Sequence, residues 1–526
     1  MMELDGADVV AAGVMPCRPQ AQGPNPCGDQ WARISSMTSL TRRGFAGRAA
    51  IAASAASYAR IPGANDIIGI GVIGLGNISR GHLMEYTQRP DSRVTAVCDI
   101  YAPRLDQGVT QASAKGYRRF EDLLQDPSVD AVIVCTPDHW HAPMAIAAMQ
   151  AGKDVDVEKP MSLTIAEAKQ MVATAEQTDR ILAVDSEHMA HGIWEPARKL
   201  VAAGLLGKIL WSQTSRSRNT REPPFSYAID ESASPDNLDW EAFLGSAPKR
   251  PFSRERFFRW RRYRDYSGGI ATDLYYHHIT PLIHVLGREF PVRAVSAGGN
   301  YGTPESVMEV PDVLVVALDF PSKHTIVCSG SLQNSVELPI VVRGHEANIH
   351  FEGGHLRPNT IRLVPEEPFI DGFKERVASS GLDAMGSWTE ERRPVRRTNF
   401  TGLTERRKRQ MVSMLLAEPR WKQRYDEDVR SRPQIQSPGD DRDTYFQAVF
   451  EERAAALSIL PSLRIEAPPS KSFRQHFLES VRTRKPAPLD GELGYRSQVA
   501  VSLGVEAYRR NKTMGFDLDS EQVREL

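Results

Sequence analysis

The stretch that most constrains the fold covers residues 67–81 and reads IIGIGVIGLGNISRG. Its apolar first half, residues 67–73, predicts a buried strand that turns sharply into a helix. Gly74 permits the tight turn, Gly76 lets the backbone approach a ligand, and the helix start offers free N–H groups and the positive end of its dipole. The stretch therefore predicts a pyrophosphate-binding turn, with contacts from Gly74, Gly76, Asn77 and Ile78.

A carboxylate follows the next predicted strand, at the position where the ribose of a dinucleotide would bind. Residues 94–98 are apolar and end at Asp99, 23 residues after Gly76. In dinucleotide-binding folds this acidic residue accepts hydrogen bonds from the ribose hydroxyls, and it favours NAD because it repels the 2′-phosphate of NADP. Arg104 nearby keeps NADP as the alternative. The pattern alone also fits an ordinary glycine turn and a solvated Asp.

The composition is typical of a soluble protein that binds neither nucleic acid nor membranes. Among the 526 residues, 41% are hydrophobic and 25% are charged, and the net charge is −1. Five cysteines show neither metal-ligand spacing nor a disulfide framework. No run after residue 60 reaches the ~20 apolar residues of a membrane span. We therefore expect no metal site, no nucleic-acid partner and no membrane span.

The first 60 residues have the character of a leader. Residues 1–36 are rich in Gly, Pro and Gln without periodicity, which predicts disorder. Residues 37–60 begin at Met37, a second possible start, and contain Arg42-Arg43 before a weakly apolar, Ala-rich stretch. A twin arginine in this context indicates export of a folded protein to the periplasm or the cell exterior. The alternative is an irregular leader on a cytoplasmic protein.

The rest of the chain predicts an α/β Rossmann domain followed by an α+β domain. Residues 66–186 alternate apolar strands with amphipathic helices, which predicts a parallel sheet covered on both faces. Strands in residues 187–365 alternate polar and apolar side chains, which predicts an open, largely antiparallel sheet. Residues 470–526 complete this domain with helices. Residues 366–469 are Arg-rich and partly helical, and we interpret them as an insertion that is not sheet-like.

Polar motifs follow two neighbouring strands of the predicted parallel sheet. Thr136-Pro137 ends one strand and leads into a loop with residues 138–141, and Glu158-Lys159-Pro160 ends the next. Because the carboxyl ends of parallel strands meet at one edge, both motifs should face the crevice that begins at Gly74. For Lys159 the simpler alternative is a surface lysine before a turn proline.

A carboxylate and an imidazole lie four residues apart in a predicted helix. Asp273 and His277 follow the Gly268-Gly269 pair, and their spacing puts them on one helical face, within reach of each other. A carboxylate that orients an imidazole and raises its basicity suits a general base. The spacing alone equally describes an ordinary pair on a helix surface.

Together, the glycine turn, the two strand-end motifs and the Asp-x-x-x-His pair resemble the Gfo/Idh/MocA family, named after glucose-fructose oxidoreductase and inositol dehydrogenase. The resemblance covers about residues 66–350 and 470–515. The chain departs from the family at Thr280, where members often have an acidic residue that contacts substrate. The resemblance implies that the nicotinamide is framed by Thr136, Pro137, His141 and Glu158, although His141 fits packing at a helix N-terminus equally well. It also implies that the catalytic residues are Lys159, Asp273 and His277.

The resemblance also implies a reaction. A secondary hydroxyl of a sugar, glycoside or cyclitol exchanges a hydride with tightly held NAD, His277 acts as general base, and Lys159 stabilises charge on the reacting oxygen. The alternatives are a redox-neutral NAD-dependent glycosidase or epimerase, and a nucleotide-bound sensor without turnover. Members commonly form dimers or tetramers through the second sheet, so a homo-oligomer is expected.

Several other residues have expected places around this site. Trp140, Tyr275 and Arg216 are candidate substrate contacts, and His139 is expected to be a solvated loop histidine. The Arg- and aromatic-rich run at residues 257–266 is expected either to pack over the sugar site or to form a solvated amphipathic segment.

Overall fold

Six parallel strands form the first sheet of the computed structural model, in which residues 67–354, 357–392 and 398–526 are described. The strands are β1 (Ile68–Ile73), β2 (Ser92–Cys98), β3 (Lys115–Tyr117), β4 (Ala131–Val134), β5 (Asp154–Glu158) and β6 (Leu182–Asp185). The helices between them are α1 (Ser79–Gln88), α2 (Ala102–Ala112), α3 (Phe120–Leu124), α4 (Asp138–Gln150) and α5 (Ile165–Thr178). The strand order is β3-β2-β1-β4-β5-β6.

Burial explains why these segments form a sheet covered on both faces. Every residue of β1 and of β4 is buried, as expected for strands between two layers of helices. The strand order reverses direction between β1 and β4, so a crevice opens at the carboxyl ends of these two strands. The predicted Rossmann sheet is confirmed.

Eleven strands form a second sheet that is mixed but largely antiparallel. After α6 (Trp194–Ala202), the remaining strands are β7 (Ile209–Ser215), β8 (Arg218–Asn219), β9 (Arg293–Gly299), β10 (Val313–Asp319), β11 (Thr325–Ser331), β12 (Gln333–Asn334), β13 (Val341–Gly344), β14 (Ala347–Glu352), β15 (Thr360–Pro365), β16 (Ser387–Arg392), β17 (Ile459–Glu466), β18 (Met514–Asp517) and β19 (Gln522–Glu525). The order across the large sheet is β16-β17-β15-β14-β13-β7-β11-β10-β9-β18-β19, while β8 and β12 pair separately. The predicted open, largely antiparallel sheet is confirmed.

The helices of the second part pack around this sheet and beside the first domain. They are α7 (Trp240–Leu244), α8 (Arg254–Phe258), α9 (Tyr276–Leu286), α10 (Phe373–Ser379), α11 (Glu405–Leu416), α12 (Pro419–Ser431), α13 (Asp440–Leu457), α14 (Phe473–Thr483) and α15 (Gly491–Arg510). Helix α15 contacts both α5 and β9 and so connects the two sheets. Gly504 of α15 faces Val316 of β10, and a Cβ at Gly504 would lie 2.8 Å from Val316 Cγ1. Glycine therefore permits the close approach of α15 to β10.

The structure corrects the expectation that residues 366–469 are not sheet-like. Strands β16 and β17 pair with each other and extend one end of the second sheet through β15. Strand β16 is an edge strand, and its charged sequence, SWTEER, discourages pairing with another chain. The helical character of the segment is present in α11, α12 and α13, which bury an apolar cluster of their own around Phe446.

Residues 1–66, which contain the predicted leader and twin-arginine segment, lie outside the described residues. Within the described ranges, no helix has the length and apolar character needed to cross a membrane.

Candidate active site

A cleft of about 1010 Å³ opens at the carboxyl edge of the first sheet and reaches the start of α9 in the second domain. The parallel sheet brings together strand ends that are far apart in sequence, as the topology predicts. Every catalytic and cofactor-binding residue predicted from the sequence lines this cleft, namely Gly74, Gly76, Asn77, Ile78, Asp99, Thr136, Pro137, His141, Glu158, Lys159, Asp273 and His277.

The glycine turn at the end of β1 has the shape that a pyrophosphate needs. Gly74 has φ +88°, and a Cβ there would lie 2.8 Å from the Cys135 carbonyl oxygen. A Cβ at Gly76 would meet no described atom within 4 Å, so the backbone opens onto the cleft. Ser79, the first residue of α1, donates from Oγ to the Gly76 carbonyl over 2.7 Å. The N-terminus of α1 has no side-chain cap, which suits a bound anion.

The carboxylate of Asp99 is fixed at the end of β2. Its two oxygens accept hydrogen bonds from the backbone N–H groups of Leu75, at 2.7 Å, and Tyr101, at 2.8 Å. These bonds orient the carboxylate beside the glycine turn, where the ribose of a dinucleotide would lie. Arg104 lies over the ring of Phe257, 5.0 Å from the ring centroid.

A segment of the second domain covers the ribose side of the cleft; we call residues 223–266 the strap. Tyr101 donates from its hydroxyl to Asp230 over 2.6 Å. The Ala102 N–H donates to the Asn237 carbonyl over 2.9 Å. Phe257 and Phe258 of the strap pack edge-on against the Tyr101 ring. The Arg- and aromatic-rich run therefore packs over the ribose side of the cleft and is not a solvated segment, and its Arg261 reaches Asp273. That the run covers a sugar site stays a prediction.

Thr136 and His141 have different relations to the cleft. The buried Thr136 hydroxyl has no hydrogen-bond partner among the described residues, so it remains free to contact a cofactor. His141 lies with Nδ1 2.6 Å from the Pro160 carbonyl and Nε2 2.8 Å from the Thr136 carbonyl. Burial lowers its pKa to about 4, and a neutral ring has a single N–H, so His141 donates to one of these two carbonyls while it lines the cleft.

The Asp273 carboxylate pairs with cationic side chains of the protein, and the prediction that it contacts His277 is wrong. Lys159 Nζ lies 3.2 Å and Arg261 Nε 3.0 Å from Asp273 Oδ1, and Arg218 Nη2 lies 3.7 Å from Oδ2. Residues Ala271–Tyr275 form a π-helical turn before α9, so the two side chains do not share a regular α-helical face. Burial raises the pKa of Asp273, but the nearby Lys159 and the two arginines outweigh it and hold that pKa well below its usual range.

Ser186, not Asp273, is the hydrogen-bond partner of His277. Ser186 Oγ lies 2.8 Å from His277 Nδ1. Burial and the nearby Lys159 charge lower the pKa of His277 well below 6.5, so the imidazole is neutral at physiological pH. Ser186 directly follows β6, and the rule that strand ends face the crevice would have identified it.

A buried acidic cluster behind Glu158 was not predicted. His82 Nε2 lies 2.9 Å from Glu158 and 3.6 Å from Asp185. Their candidate ligand atoms lie within 4.8 Å of one another, but Arg474 Nε donates to His82 Nδ1 over 3.0 Å. This bond places the His82 proton on Nε2, so that nitrogen donates to the carboxylates and is not a metal ligand. Burial raises the pKa of Glu158 to about 7.

Three other expectations are corrected. His139 is buried and bonds through Nε2 to the Phe243 carbonyl, because residues 138–141 begin α4 and do not form a solvated loop. Tyr275 is fully buried and donates to the Leu314 carbonyl. Arg216 pairs with Glu337 at 2.9 Å, outside the lining of the cleft. Thr280, where the chain departs from the family pattern, donates to the Tyr276 carbonyl in its own helix and is not among the residues that line the cleft. Trp140 does line it.

The fold and the cleft together define the class of protein. A Rossmann sheet presents a phosphate-binding turn and a ribose-side carboxylate, and a second domain supplies ionisable side chains at the other end of the same cleft. This is the arrangement of a dinucleotide-binding oxidoreductase with a separate substrate domain.

Comparison with known families identifies the class more closely. Residues 68–186 match the model of the oxidoreductase family with an NAD-binding Rossmann fold, GFO_IDH_MocA. Residues 192–307 match the C-terminal alpha/beta domain of the same oxidoreductase family. The chain belongs to the Gfo/Idh/MocA family.

Curated relatives match over different lengths. A myo-inositol 2-dehydrogenase of Thermotoga maritima is 26% identical over 331 residues, which cover 60% of this chain and 85% of the relative. A glycosyl hydrolase family 109 protein of Saccharopolyspora erythraea is 34% identical over 174 residues, or 31% of this chain and 38% of the relative. One from Shewanella pealeana is 32% identical over 161 residues, or 28% and 35%. The chain thus spans little more than a third of these glycosyl hydrolase relatives.

Solved structures share the fold at low identity. The aldose-aldose oxidoreductase of Caulobacter crescentus, complexed with glycerol, has a TM-score of 0.53 at 18% identity and covers 85% of this chain and 99% of its own. The WlbA dehydrogenase of Bordetella pertussis, in complex with NADH and UDP-GlcNAcA, has a TM-score of 0.54 at 16% identity and covers 87% and 100%.

Proposed function

We propose that the chain is an NAD-dependent oxidoreductase that acts on a secondary hydroxyl of a sugar, glycoside or cyclitol. The observation that carries this proposal is the pairing, in one cleft, of Lys159 with a neutral His277 at the end opposite the Asp99 carboxylate. NAD, when bound, supplies the hydride acceptor, and the glycine turn, Asp99 and Thr136 would hold it.

His277 is suited to take the hydroxyl proton of the substrate. In the tautomer in which Nδ1–H donates to Ser186 Oγ, the basic nitrogen is Nε2. A neutral imidazole that is held in one tautomer can accept a proton without a preceding ionisation step. The hydroxyl proton passes to Nε2 as the C–H bond gives up its hydride, so the substrate carbon becomes a carbonyl carbon.

Lys159 is suited to stabilise charge on the reacting oxygen. Its Nζ donates to the Asp273 backbone carbonyl over 2.5 Å and to the carboxylate over 3.2 Å, and its side chain is only 11% exposed. These two bonds fix the ammonium group, and its third N–H can donate to a substrate oxygen. Asp273 is then a positioning residue for Lys159.

For the cofactor we propose NAD and not NADP. Both oxygens of Asp99 already accept backbone bonds, so the carboxylate cannot turn away from a ribose. A fixed negative charge at this position repels a 2′-phosphate.

A redox-neutral reaction, in which the cofactor is regenerated within each turnover, is the second candidate. The strap covers the ribose side of the cleft through Tyr101, which favours a retained cofactor. Two of the curated relatives are named glycosyl hydrolase family 109 proteins. We also propose that Arg42-Arg43 directs export to the periplasm or cell exterior, where free NAD is scarce.

The test uses the full-length purified protein. We expect mass spectrometry to find NAD(H) retained after gel filtration, and a panel of sugars, glycosides and cyclitols to change absorbance at the nicotinamide wavelength. Release of a glycosidic substituent without added NAD would favour the redox-neutral candidate. Loss of NAD on gel filtration, with turnover only on added NAD, would favour a simple dehydrogenase. An unchanged nicotinamide spectrum with every substrate would contradict the proposed activity.

A further inference from the structure

The substrate end of the cleft carries more positive than negative charge. Lys159, Arg261 and Arg218 surround the single carboxylate of Asp273 at 3.2, 3.0 and 3.7 Å. One carboxylate offsets one of these three cations. The side chains of Lys159, Arg261 and Arg218 are 11%, 24% and 35% exposed, so water screens the remaining charge only in part.

Other carboxylates at this end do not offset the excess. Burial raises the pKa values of Asp138 and Glu158 to about 7, so each carries only part of a negative charge at neutral pH. Burial also raises the pKa of Asp185, which lies beside His82. Glu187 pairs with Arg357 at 3.4 Å. An oxidised nicotinamide is itself a cation and adds to the excess.

Aromatic rings hold the two arginines in place. The Arg261 guanidinium lies 4.2 Å from the centroid of the Trp260 ring, and Arg218 lies 5.0 Å from that of Phe225. Among the described residues, Arg261 hydrogen-bonds to Asp273 through Nε, and its two terminal nitrogens can serve a ligand. A stacked guanidinium with free Nη atoms is the usual partner of a planar or tetrahedral oxyanion.

We propose that the substrate is an anionic sugar whose negative group binds between Arg218 and Arg261. The proposal rests on the function proposed above and names the substrate class of that site. The anionic group is either the carboxylate of a uronic acid or a phosphate ester. Lys159 then faces the reacting oxygen, while the two arginines are specificity-determining residues that fix the position of the sugar ring.

The first experiment compares substrates of matched configuration. NAD-loaded full-length protein is assayed with glucuronate, galacturonate and glucose 6-phosphate, and with glucose, galactose and the methyl esters of both uronates. We expect at least one anionic sugar to exceed its neutral counterpart in kcat/KM by about 100-fold, since a fixed charge left without its partner is strongly disfavoured. Preference for the uronates or for the phosphate distinguishes the two sources of the anion.

Substitution of the arginines provides the matched test. R218Q and R261Q should each lower kcat/KM for the anionic sugar roughly 30-fold, mainly through KM, and R261K should recover part of the loss. R221Q is the control, because Arg221 is exposed, lies in the same stretch and does not line the cleft. Thermal unfolding of each variant shows whether it is folded, and R218Q provides an independent result if R261Q does not fold.

Two outcomes would overturn the proposal. One is equal kcat/KM for anionic and neutral sugars. The other is an equal loss for both kinds of sugar in R218Q and R261Q. Calorimetry measures the binding of uronate and sugar phosphate to the NADH-loaded protein. It distinguishes a wrong ligand class from a wrong assignment of the hydride-transfer reaction. Tight, arginine-dependent binding without hydride transfer would refute the reaction but support the ligand class.

Discussion

His277 is held by neighbours on several sides of its ring. Ser186 Oγ bonds to Nδ1 at 2.8 Å, and the His188 ring lies 4.5 Å away, centroid to centroid. Pro281, four residues further along α9, has no N–H for the His277 carbonyl. His188 hydrogen-bonds to the His277 backbone instead. These contacts fix the orientation and the neutral state of a group that must accept a proton.

Replacing His277 with Ala separates an enzyme from a sensor. We expect H277A to lose about 10²–10⁴-fold in kcat, which is the usual contribution of a general base. Retained NAD should be unchanged, because the cofactor contacts proposed above lie in the first domain. The measurements are single-turnover nicotinamide absorbance and mass spectrometry of bound NAD. H345A, at an exposed histidine away from the cleft, is the control. Wild-type rates in H277A would contradict the assigned role.

Strand β5 contains two buried aspartates, of which one carboxylate accepts hydrogen bonds and the other does not. Asp154 accepts bonds from the Ile181 N–H at 2.8 Å and from Arg484 Nη1 at 2.7 Å. Asp156 is completely buried, and neither of its oxygens has a hydrogen-bond partner among the described residues. Burial and the nearby Asp185 and Glu158 raise the pKa of Asp156 well above its usual value.

We therefore expect D156N to gain stability over the wild type as pH rises. A carboxyl group with a raised pKa in the folded state contributes its full stability below the unfolded pKa of about 3.9 and loses it as pH rises toward the folded pKa. The loss is at most about 1.4 kcal/mol per pH unit, and Asn does not titrate. Thermal-unfolding midpoints of both proteins at pH 5, 6.5 and 8 should diverge in favour of D156N.

D154N is the matched control on the same strand. Its loss of a charge-assisted bond to Arg484 should cost about 1–3 kcal/mol, so its midpoint should fall below that of the wild type at neutral pH. A constant difference between D156N and the wild type across this pH range would contradict a raised pKa for Asp156.

The elements that sequence could predict are those whose signals are local. Strands β1 and β4 are apolar throughout and flanked by turn residues, so they and the cleft at their carboxyl ends follow from pattern alone. Strand β16 is charged, and its place in the sheet depends on pairing with β17 more than sixty residues later. The partners of Asp273 and His277, among them Arg261 and Ser186, are likewise set by tertiary packing, which a spacing of four residues does not encode.

At the scale of the whole molecule, the two ends of the cleft are built by different parts of the chain. The first domain supplies the glycine turn and Asp99, and the strap closes over that end through Tyr101. In sequence, Arg218 precedes and Arg261 follows the strap residues that contact the Tyr101 region, and both arginines reach Asp273 at the substrate end. The strap therefore links cofactor retention to the charge that meets the substrate, and a loosened strap should affect both.

The open face of the second sheet is the surface through which we propose that the chain forms a homo-oligomer. Val315 in β10 lies opposite Ala297 in β9 and Ser329 in β11, so these side chains share one face. On the same face, Val295 is 43% and Val315 41% exposed. Exposed apolar side chains grouped on a sheet face are typical of an interface.

A charge in the centre of this face should dissociate the oligomer. We expect V315E to elute as a monomer in gel filtration with light scattering, while the wild type elutes as a dimer or tetramer, because burying an unpaired carboxylate is costly. V336E is the control, since Val336 is 78% exposed in the loop after β12 and lies outside the sheet. A monomeric wild type, or a V315E variant with the wild-type mass, would show that this face does not join the subunits.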